Sequence, residues 1–449
     1  MSSREEDVRV NGDHQLEASG GANGEGEHGE LEAVMEQLAP EGVRALHARV
    51  EAEWGPVLQS ACQTAAARAL WATAVRDPAA GVLAGEKHLR GLHDKMRRDE
   101  RAGAREVPGV MIAVRTLWFD ARIEAAVSQL GGAPQVVLLG AGFRKQGPTR
   151  DVIIVHVDAK GNKMLWLAME TPGDIISRTK AIQQCMDVNC STPTLRGRFV
   201  HTSESTGTST SCLQDPGIYV YYILVAFPVR YCHQLAPCRP GMDARAYRLS
   251  CLKDCTVFEL DFAELLEMKT DILHEATSSA DHQKLTMMAK SLTRVPADIR
   301  DVDWMTKLQS CGYVPEGNTI WVLEGIIYYL HHVHAMQVLE TIAACRTSAH
   351  TVLLADFMNK NAAALSQTMY HFYHDSPDLL LPSIGFSQAM LSQIGDPQAH
   401  FGLLNHPQNL FDKLRRLPRS VETNPEDGTP CRRLYLVEAS ASPHDRATL

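Results

Sequence analysis

Hydrophobic positions along this chain change their spacing in a way that marks out its elements. From Leu31 to about Arg105 they recur mostly at three- and four-residue steps, as in Val34, Leu38, Val43, Leu46 and Val50, and again in Leu58, Ala61, Ala65, Ala69 and Leu70. That spacing predicts two or three helices, and Val110 to Ser128 reads as another. The next run, Gln135-Val-Val-Leu-Leu-Gly-Ala-Gly142, is apolar without alternation. Such a run predicts a strand buried on both faces of a parallel sheet. Further strands are expected at Cys255–Asp261, Leu292–Ala297, Thr319–Leu323, Thr351–Asp356 and Arg432–Glu438. Helical patterns at Phe262–Leu273, Asp303–Ser310 and Ile326–Cys345 separate them. Strands alternating with helices imply an α/β fold with a doubly wound parallel sheet. Met369 to Arg416 reads as several short helices interrupted by Pro377, Pro382, Pro397 and Pro407.

One segment does not conform. Residues 143–241 show no helical period, although Asp151–Val157 looks like a strand. They hold a Ser/Thr-rich stretch from Thr202 to Ser211 and five of the eleven cysteines. They also stand where a strand-to-helix loop of about two to six residues is usual.

Composition and charge narrow the picture. The 449 residues carry a net charge of −9, with 45% apolar and 22% charged residues, as in an ordinary soluble protein. Residues 1–32 contain nine acids and two bases, so most of the negative charge sits in a Gly- and Glu-rich tail expected to be disordered. The rest is near neutral and has no concentrated basic face, so no nucleic-acid partner is expected. The run Lys95-Met-Arg-Arg98 reads first as a solvated helix face. No apolar stretch reaches the ~18–20 residues of a membrane span. The nearest, Ile218–Phe227, stops at Pro228. The N-terminus has no signal-peptide core, and eleven scattered cysteines read as reduced thiols, so a cytoplasmic protein is expected. The cysteine spacings do not form a zinc ribbon. His331 and His334 share a helical face without a converging acid, so no metal site is expected.

The candidate chemistry lies at strand ends. Gly140 and Gly142 end the first strand, and glycine there permits a tight turn and close approach of a ligand. They could equally serve a plain turn. Glu259 and Asp261 end the second strand, Asp298 the third, and Glu324 the fourth. Ligands of open α/β sheets bind at these carboxyl ends, where an acid after the second strand can accept both hydrogen bonds of a ribose diol. Any one of these acids could instead be a helix N-cap. Asp298 could meet an adenine amino group, with Ile299 packing on the ring. A nicotinamide dinucleotide enzyme would want a third glycine, Gly-x-Gly-x-x-Gly, but Phe143-Arg-Lys145 follows and Gly147 is out of register. This points away from NAD and toward S-adenosylmethionine.

Joined across the aperiodic segment, the chain reads Val-Val-Leu-Leu-Gly-Ala-Gly, then Met-Asp-Ala-Arg-Ala-Tyr-Arg-Leu. With Thr256-Val-Phe-Glu-Leu-Asp, Val295-Pro-Ala-Asp-Ile-Arg, Asp303-Trp, Trp321-Val-Leu-Glu-Gly-Ile-Ile-Tyr-Tyr-Leu, and Arg115-Thr116 with Asp120, it resembles the leucine carboxyl methyltransferase family. The resemblance is to that family's branch of uncharacterised S-adenosylmethionine-dependent methyltransferases, from about residue 60 to 440 outside the segment. It implies a class I methyltransferase fold with N-terminal helices and a long insertion after the first strand. It also implies that Arg115 pairs with the carboxylate of the cofactor's methionine part, and that Gly140 and Gly142 let the loop pass the cofactor. Asp261 would hold the ribose, with Glu259 as second candidate, and Asp298 and Ile299 would bind adenine. Glu324 would sit near the methionine amino group or the reacting centre, and Asp243 would order the loop after the first strand. The acceptor would be an oxygen nucleophile, a small-molecule or protein carboxylate. A carboxylate is ionised at neutral pH, so no general base is required, and no catalytic residue or oligomeric state is assigned.

The expected organisation is a disordered acidic tail over 1–32, a helical region over 33–130, and a methyltransferase domain over 131–449. Segment 143–241 interrupts that domain and 360–416 caps the acceptor site. The segment admits two readings. It is an insertion that the fold tolerates, since loop-closure entropy grows slowly with length. Or it does not belong to the functional product, which its aperiodicity, its cysteines and the clean rejoining of the motif favour. The alternative to an enzyme is a catalytically inactive binding protein of the same fold, disabled by this segment.

Overall fold

The computed structural model describes residues 40–103, 108–140, 152–157, 164–169, 219–223, 240–278, 285–347, 349–405 and 409–443. The acidic tail, Gly142 and most of 143–241 lie outside them. The chain forms two compact units. One is built from residues up to Phe143 and from Cys232 onward, the other from Arg144 to Tyr231.

The larger unit is organised by a seven-stranded sheet. In chain order the ten described strands are β1 (Gln135–Leu139), β2 (Val152–Val157), β3 (Met164–Met169), β4 (Tyr219–Ile223), β5 (Thr256–Asp261), β6 (Ser291–Pro296), β7 (Thr319–Leu323), β8 (Thr351–Met358), β9 (Gln388–Gln393) and β10 (Leu434–Ala441). The large sheet runs β6-β5-β1-β7-β8-β10-β9. Its first five strands are parallel neighbours, while β10 is antiparallel to both β8 and β9. This is the mainly parallel α/β sheet that the alternation of strands and helices leads one to expect. The strand order reverses about β1, so the crevice where such sheets take ligands opens at the carboxyl ends of β1 and β7.

Burial follows strand position. Every residue of β1, β7 and β8 is buried, as unalternating apolar runs require. Edge strands β6 and β9 are mostly half-exposed or exposed. In the middle, Trp321 of β7 is fully buried and meets Trp304 edge-on at 6.0 Å between ring centres, with Tyr313 at 5.5 Å. The N-terminal helices, Glu41–Glu53, Pro56–Leu70, Ala72–Val75, Ala80–Ala84 and Glu86–Arg101, build a second core. There Val43, Val50, Ala61, Ala65 and Leu83 pack with Leu265, Ile272 and Leu273 of helix Ala263–Ser278.

Two elements differ from expectation. The helix foreseen over Ile326–Cys345 is a 3-10 turn, Ile327–Tyr329, followed by helix His332–Ala344. The Tyr328 carbonyl accepts hydrogen bonds from the amides of His371 (2.8 Å) and Phe372 (3.3 Å), so it leaves the helical ladder for a neighbouring segment. Within Met369–Arg416, helices Pro377–Ser383 and Leu410–Arg416 form, but Gln388–Gln393 is strand β9. Its sequence, Gln-Ala-Met-Leu-Ser-Gln, has little intrinsic strand preference. Pairing with β10, Tyr435 opposite Gln393 through Ser440 opposite Gln388, draws it into the sheet.

The smaller unit carries a three-stranded antiparallel sheet, β3-β2-β4. In its centre β2 pairs with β3 from Val152 opposite Met169 and with β4 from Ile153 opposite Ile223.

Trp321→Ala is expected to lower unfolding free energy by about 3–5 kcal/mol, the range for emptying a buried aromatic site. Met390→Ala, on exposed β9, should stay within about 0.5 kcal/mol of wild type. Urea unfolding followed by fluorescence and circular dichroism measures both.

Candidate functional site

The strand-end residues do gather at one edge of the sheet. Gly140 follows β1, Asp261 ends β5, Asp298 follows β6, and Glu324 follows β7. The Gly140 amide donates to the Leu260 carbonyl (2.7 Å). A Cβ on Gly140 would overlap the Asp261 carboxylate and stand 2.8 Å from the Leu260 carbonyl oxygen. Glycine is therefore required there by proximity to Asp261, whose Oδ1 accepts from the Phe262 amide at 2.8 Å.

Glu324 is the junction of the site. Its Oε1 accepts from Arg115 Nε (3.1 Å) and its Oε2 from Arg245 Nη2 (2.6 Å). Arg115 projects from helix Val110–Leu130 and is only 2% exposed. Its Nη1 also reaches Asp356 Oδ2 (3.1 Å) and the Tyr328 hydroxyl (3.4 Å). Arg245 stands on the short helix Arg245–Arg248 and donates to Asp120 (2.7 Å) and Asp243 as well as Glu324. Asp120 in turn accepts from Arg248 at 2.5 and 2.8 Å. Arg68 pairs with Asp77 (2.8 Å) and donates to the Met242 carbonyl (2.5 Å). Asp243 Oδ1 accepts from the Arg245 amide (2.7 Å), closing a local turn. Asp243 thus combines an ion pair to Arg245 with a backbone turn in its own segment.

Arg68, Arg115, Asp243, Arg245, Arg248 and Glu324 line a cavity of about 10 Å³, together with Thr64, Ile112 and Thr116. That is room for about one water molecule.

The remaining expected residues are engaged elsewhere. Glu259 is buried and takes Lys269 Nζ (2.8 Å) and Arg294 Nε (3.1 Å). Asp298 accepts from Arg300 Nε (2.9 and 3.1 Å) and Nη2 (2.6 Å). Ile299 is buried in the main core. His331 stacks on His371 at 4.3 Å, with His334 at 6.5 Å.

Charge states follow from these contacts. Burial pushes Asp243 up, but Arg245, Lys269, Arg68 and Arg248 outweigh it and hold it down at about 2. Burial also dominates at Asp356, which is fully enclosed in β8 and rises to about 6. Arg115 and the Gly325 amide oppose that rise, and the nearby Glu324 charge adds to it. Burial lowers Lys269 despite its pairing with Glu259. Asp298 falls because Arg300 outweighs the effect of burial.

Arg245, Arg68, Asp77, Tyr328 and Asp356 were not singled out from sequence. Asp356 carried a usable signal, since it too is an acid near a strand's carboxyl end. Arg245 lay inside the Met-Asp-Ala-Arg motif itself.

The family model described as leucine carboxyl methyltransferase matches residues 61–159 and 237–343. The resemblance read from the motifs therefore holds, and the match breaks off and resumes inside segment 143–241. A relative from Mycobacteroides abscessus, named "Putative S-adenosyl-L-methionine-dependent methyltransferase", is 40% identical over 90 residues, 20% of this chain and 27% of its own. One from Mycolicibacterium paratuberculosis, with the same name, is 28% identical over 189 residues, 42% of this chain and 56% of its own. The chain thus spans about a quarter to a half of the length of the curated relatives it matches. Among solved structures, the N-terminal domain of EvdMO1 with SAH bound aligns at TM-score 0.26 and 11% identity, over 45% of this chain and 71% of that one.

Two predictions follow the charges. Asp243 is depressed below the ordinary carboxylate value of 3.8, so its stabilisation is complete above about pH 4 and is lost as pH falls toward 2. Asp356 is raised, so its native state takes a proton first, and its ionised form destabilises the fold as pH rises from about 4 to 6. The difference is on the order of 3 kcal/mol. Asp356→Asn should remove that slope from the urea midpoint measured against pH. Separately, Gly140→Ala should displace Asp261 and abolish ligand binding with a smaller effect on unfolding, measured by calorimetry and urea titration in parallel.

Proposed function

We propose that this chain is an S-adenosylmethionine-dependent methyltransferase that transfers methyl to an oxygen acceptor, a carboxylate by the family's name. The observation that carries the reading is the buried Arg115–Glu324 pair, bridged at 3.1 Å beside the point where strand order reverses and lining the cavity there. A zwitterionic amino-acid group is complementary to such a pair. Its carboxylate takes the place of Glu324 on Arg115, its ammonium takes the place of Arg115 on Glu324, and no net charge is added to a low-dielectric site.

The other residues fit the rest of the cofactor. Gly140 leaves room for close approach at the end of β1, and Asp261 beside it is placed for a ribose diol. Glu259 keeps its structural partners, so Asp261 is the stronger ribose candidate of the two. Asp298 and Ile299 are assigned to adenine from the family pattern. That role asks Asp298 to share its carboxylate with Arg300. Gly142, which lies outside the described residues, keeps its proposed role as the second glycine of the turn. The cofactor, when bound, supplies an electrophilic methyl on a sulfonium. The chain's task is to align the acceptor oxygen with that methyl and to exclude water. An ionised carboxylate acceptor needs no base. Residues 360–416 are proposed to shape the acceptor pocket, and the proposed location is cytoplasmic. Among the described residues no helix is long and apolar enough to cross a membrane.

Calorimetric titration of S-adenosylmethionine into the chain tests the reading, and absence of binding would overturn it. Arg115→Ala should weaken binding by about 10- to 100-fold, the worth of one charge-assisted contact. Deleting residues 143–241 should tighten binding, because Gly140 and Asp243 flank the segment and must close around one ligand. Binding to the deletion alone would mark this chain as an inactive form of an active family. Equal affinity would mean that the segment is a harmless insertion.

A further inference from the structure

We propose that Asp356 is a positioning residue of this site, fixing the Arg115 guanidinium and the Glu324–Gly325 turn in the arrangement that receives the cofactor's amino-acid end. The inference rests on the cofactor reading above and adds a residue to it.

The geometry is that of a bracket. Asp356 Oδ1 accepts from the Gly325 amide at 2.6 Å, and Oδ2 accepts from Arg115 Nη1 at 3.1 Å. One carboxylate therefore ties the helix that carries Arg115 to the turn that carries Glu324. Gly325 holds that turn with a positive φ of 70°, a conformation natural to glycine. Arg115 and Glu324 line the cavity, whereas Asp356 does not. It stands behind the guanidinium, within a strand buried along its whole length. Asp356 therefore acts through Arg115, and the guanidinium lies between its charge and a carboxylate arriving in the cavity.

The bracket matters most in the loaded state. When Glu324 turns to an ammonium group, Arg115 gives up its Nε partner, and Asp356 remains to orient it. Such orientation behind a binding group is what holds a site within the fraction of an ångström that affinity requires. The charged groups acting on Asp356 are Arg115 from helix Val110–Leu130 and Glu324 after β7, and the same Arg115 Nη1 that meets Asp356 also reaches the Tyr328 hydroxyl of the Ile327–Tyr329 turn. Its partner on β10 is the uncharged Leu436. A carboxylate enclosed this fully is disfavoured in its ionised form, and it titrates near 6. A neutral residue would suit the fold better, so the negative charge is explained by what it does for Arg115.

The test is calorimetry with S-adenosylhomocysteine as the probe, on the full chain and on Asp356→Asn, between about pH 5 and 7.5, with thermal melts alongside. Asparagine keeps an oxygen for the Gly325 amide and turns a donor toward Arg115. The expected result is about tenfold weaker binding at pH 7.5 with no loss of melting temperature. Wild-type affinity should fall by a similar factor as pH drops through about 6, and the variant should show no such fall. Three results would overturn the inference: variant affinity equal to wild type, an affinity loss matched by a lower melting temperature, or wild-type affinity that is flat or rises below pH 6. If Asp356→Asn does not fold, the wild-type profile decides alone. No binding by the wild type at any pH would overturn the cofactor reading itself, and this inference with it.

Discussion

The structure turns on one buried carboxylate. Glu324 divides its two oxygens between Arg115 and Arg245. It thereby joins the helix before the first strand, the turn after the fourth parallel strand in chain order, and the segment that resumes after residue 240. Removing one partner of a buried ion pair commonly costs about 3–5 kcal/mol, because the other charge is left without compensation. Arg68, Arg245 and Arg248 have carboxylates of their own in Asp77, Asp243 and Asp120. That pairing compensates the burial of these charges.

The neighbouring acids divide the work by position. Glu259 and Asp261 lie two residues apart on β5, so they share a face of the strand. Glu259 meets Lys269 and Arg294 and ties β5 to β6 and to the following helix. Asp261, at the very end, meets Gly140. One acid serves the architecture within the sheet, and the other lies at its rim.

Segment 143–241 bears directly on this arrangement. It enters between Gly140 and Asp243, and the family match lapses over residues 160–236 within it. Its described strands form a separate antiparallel sheet in a compact unit of their own. The larger unit nevertheless brings the Asp243–Arg248 segment and Glu324 into contact. The slow growth of loop-closure entropy with length is the physical reason such an excursion leaves the sheet intact.

The chain's pattern alone determined the alternation of strands and helices, the full burial of β1 and β7, and the acids at strand ends. Each follows from local periodicity and from the rule that ligands meet open sheets at their carboxyl edge. Tertiary structure decided the rest. Gln388–Gln393 became a strand because β10 offered an edge to pair with. The helix after Glu324 began late because the Tyr328 carbonyl found partners in a distant segment. Arg245 and Asp356 joined the site through contacts across 79 and 241 positions of sequence, to Glu324 and Arg115 respectively. Spacing along a chain predicts which residues share a face of one element. Which buried charges neutralise one another is settled only when separate elements meet.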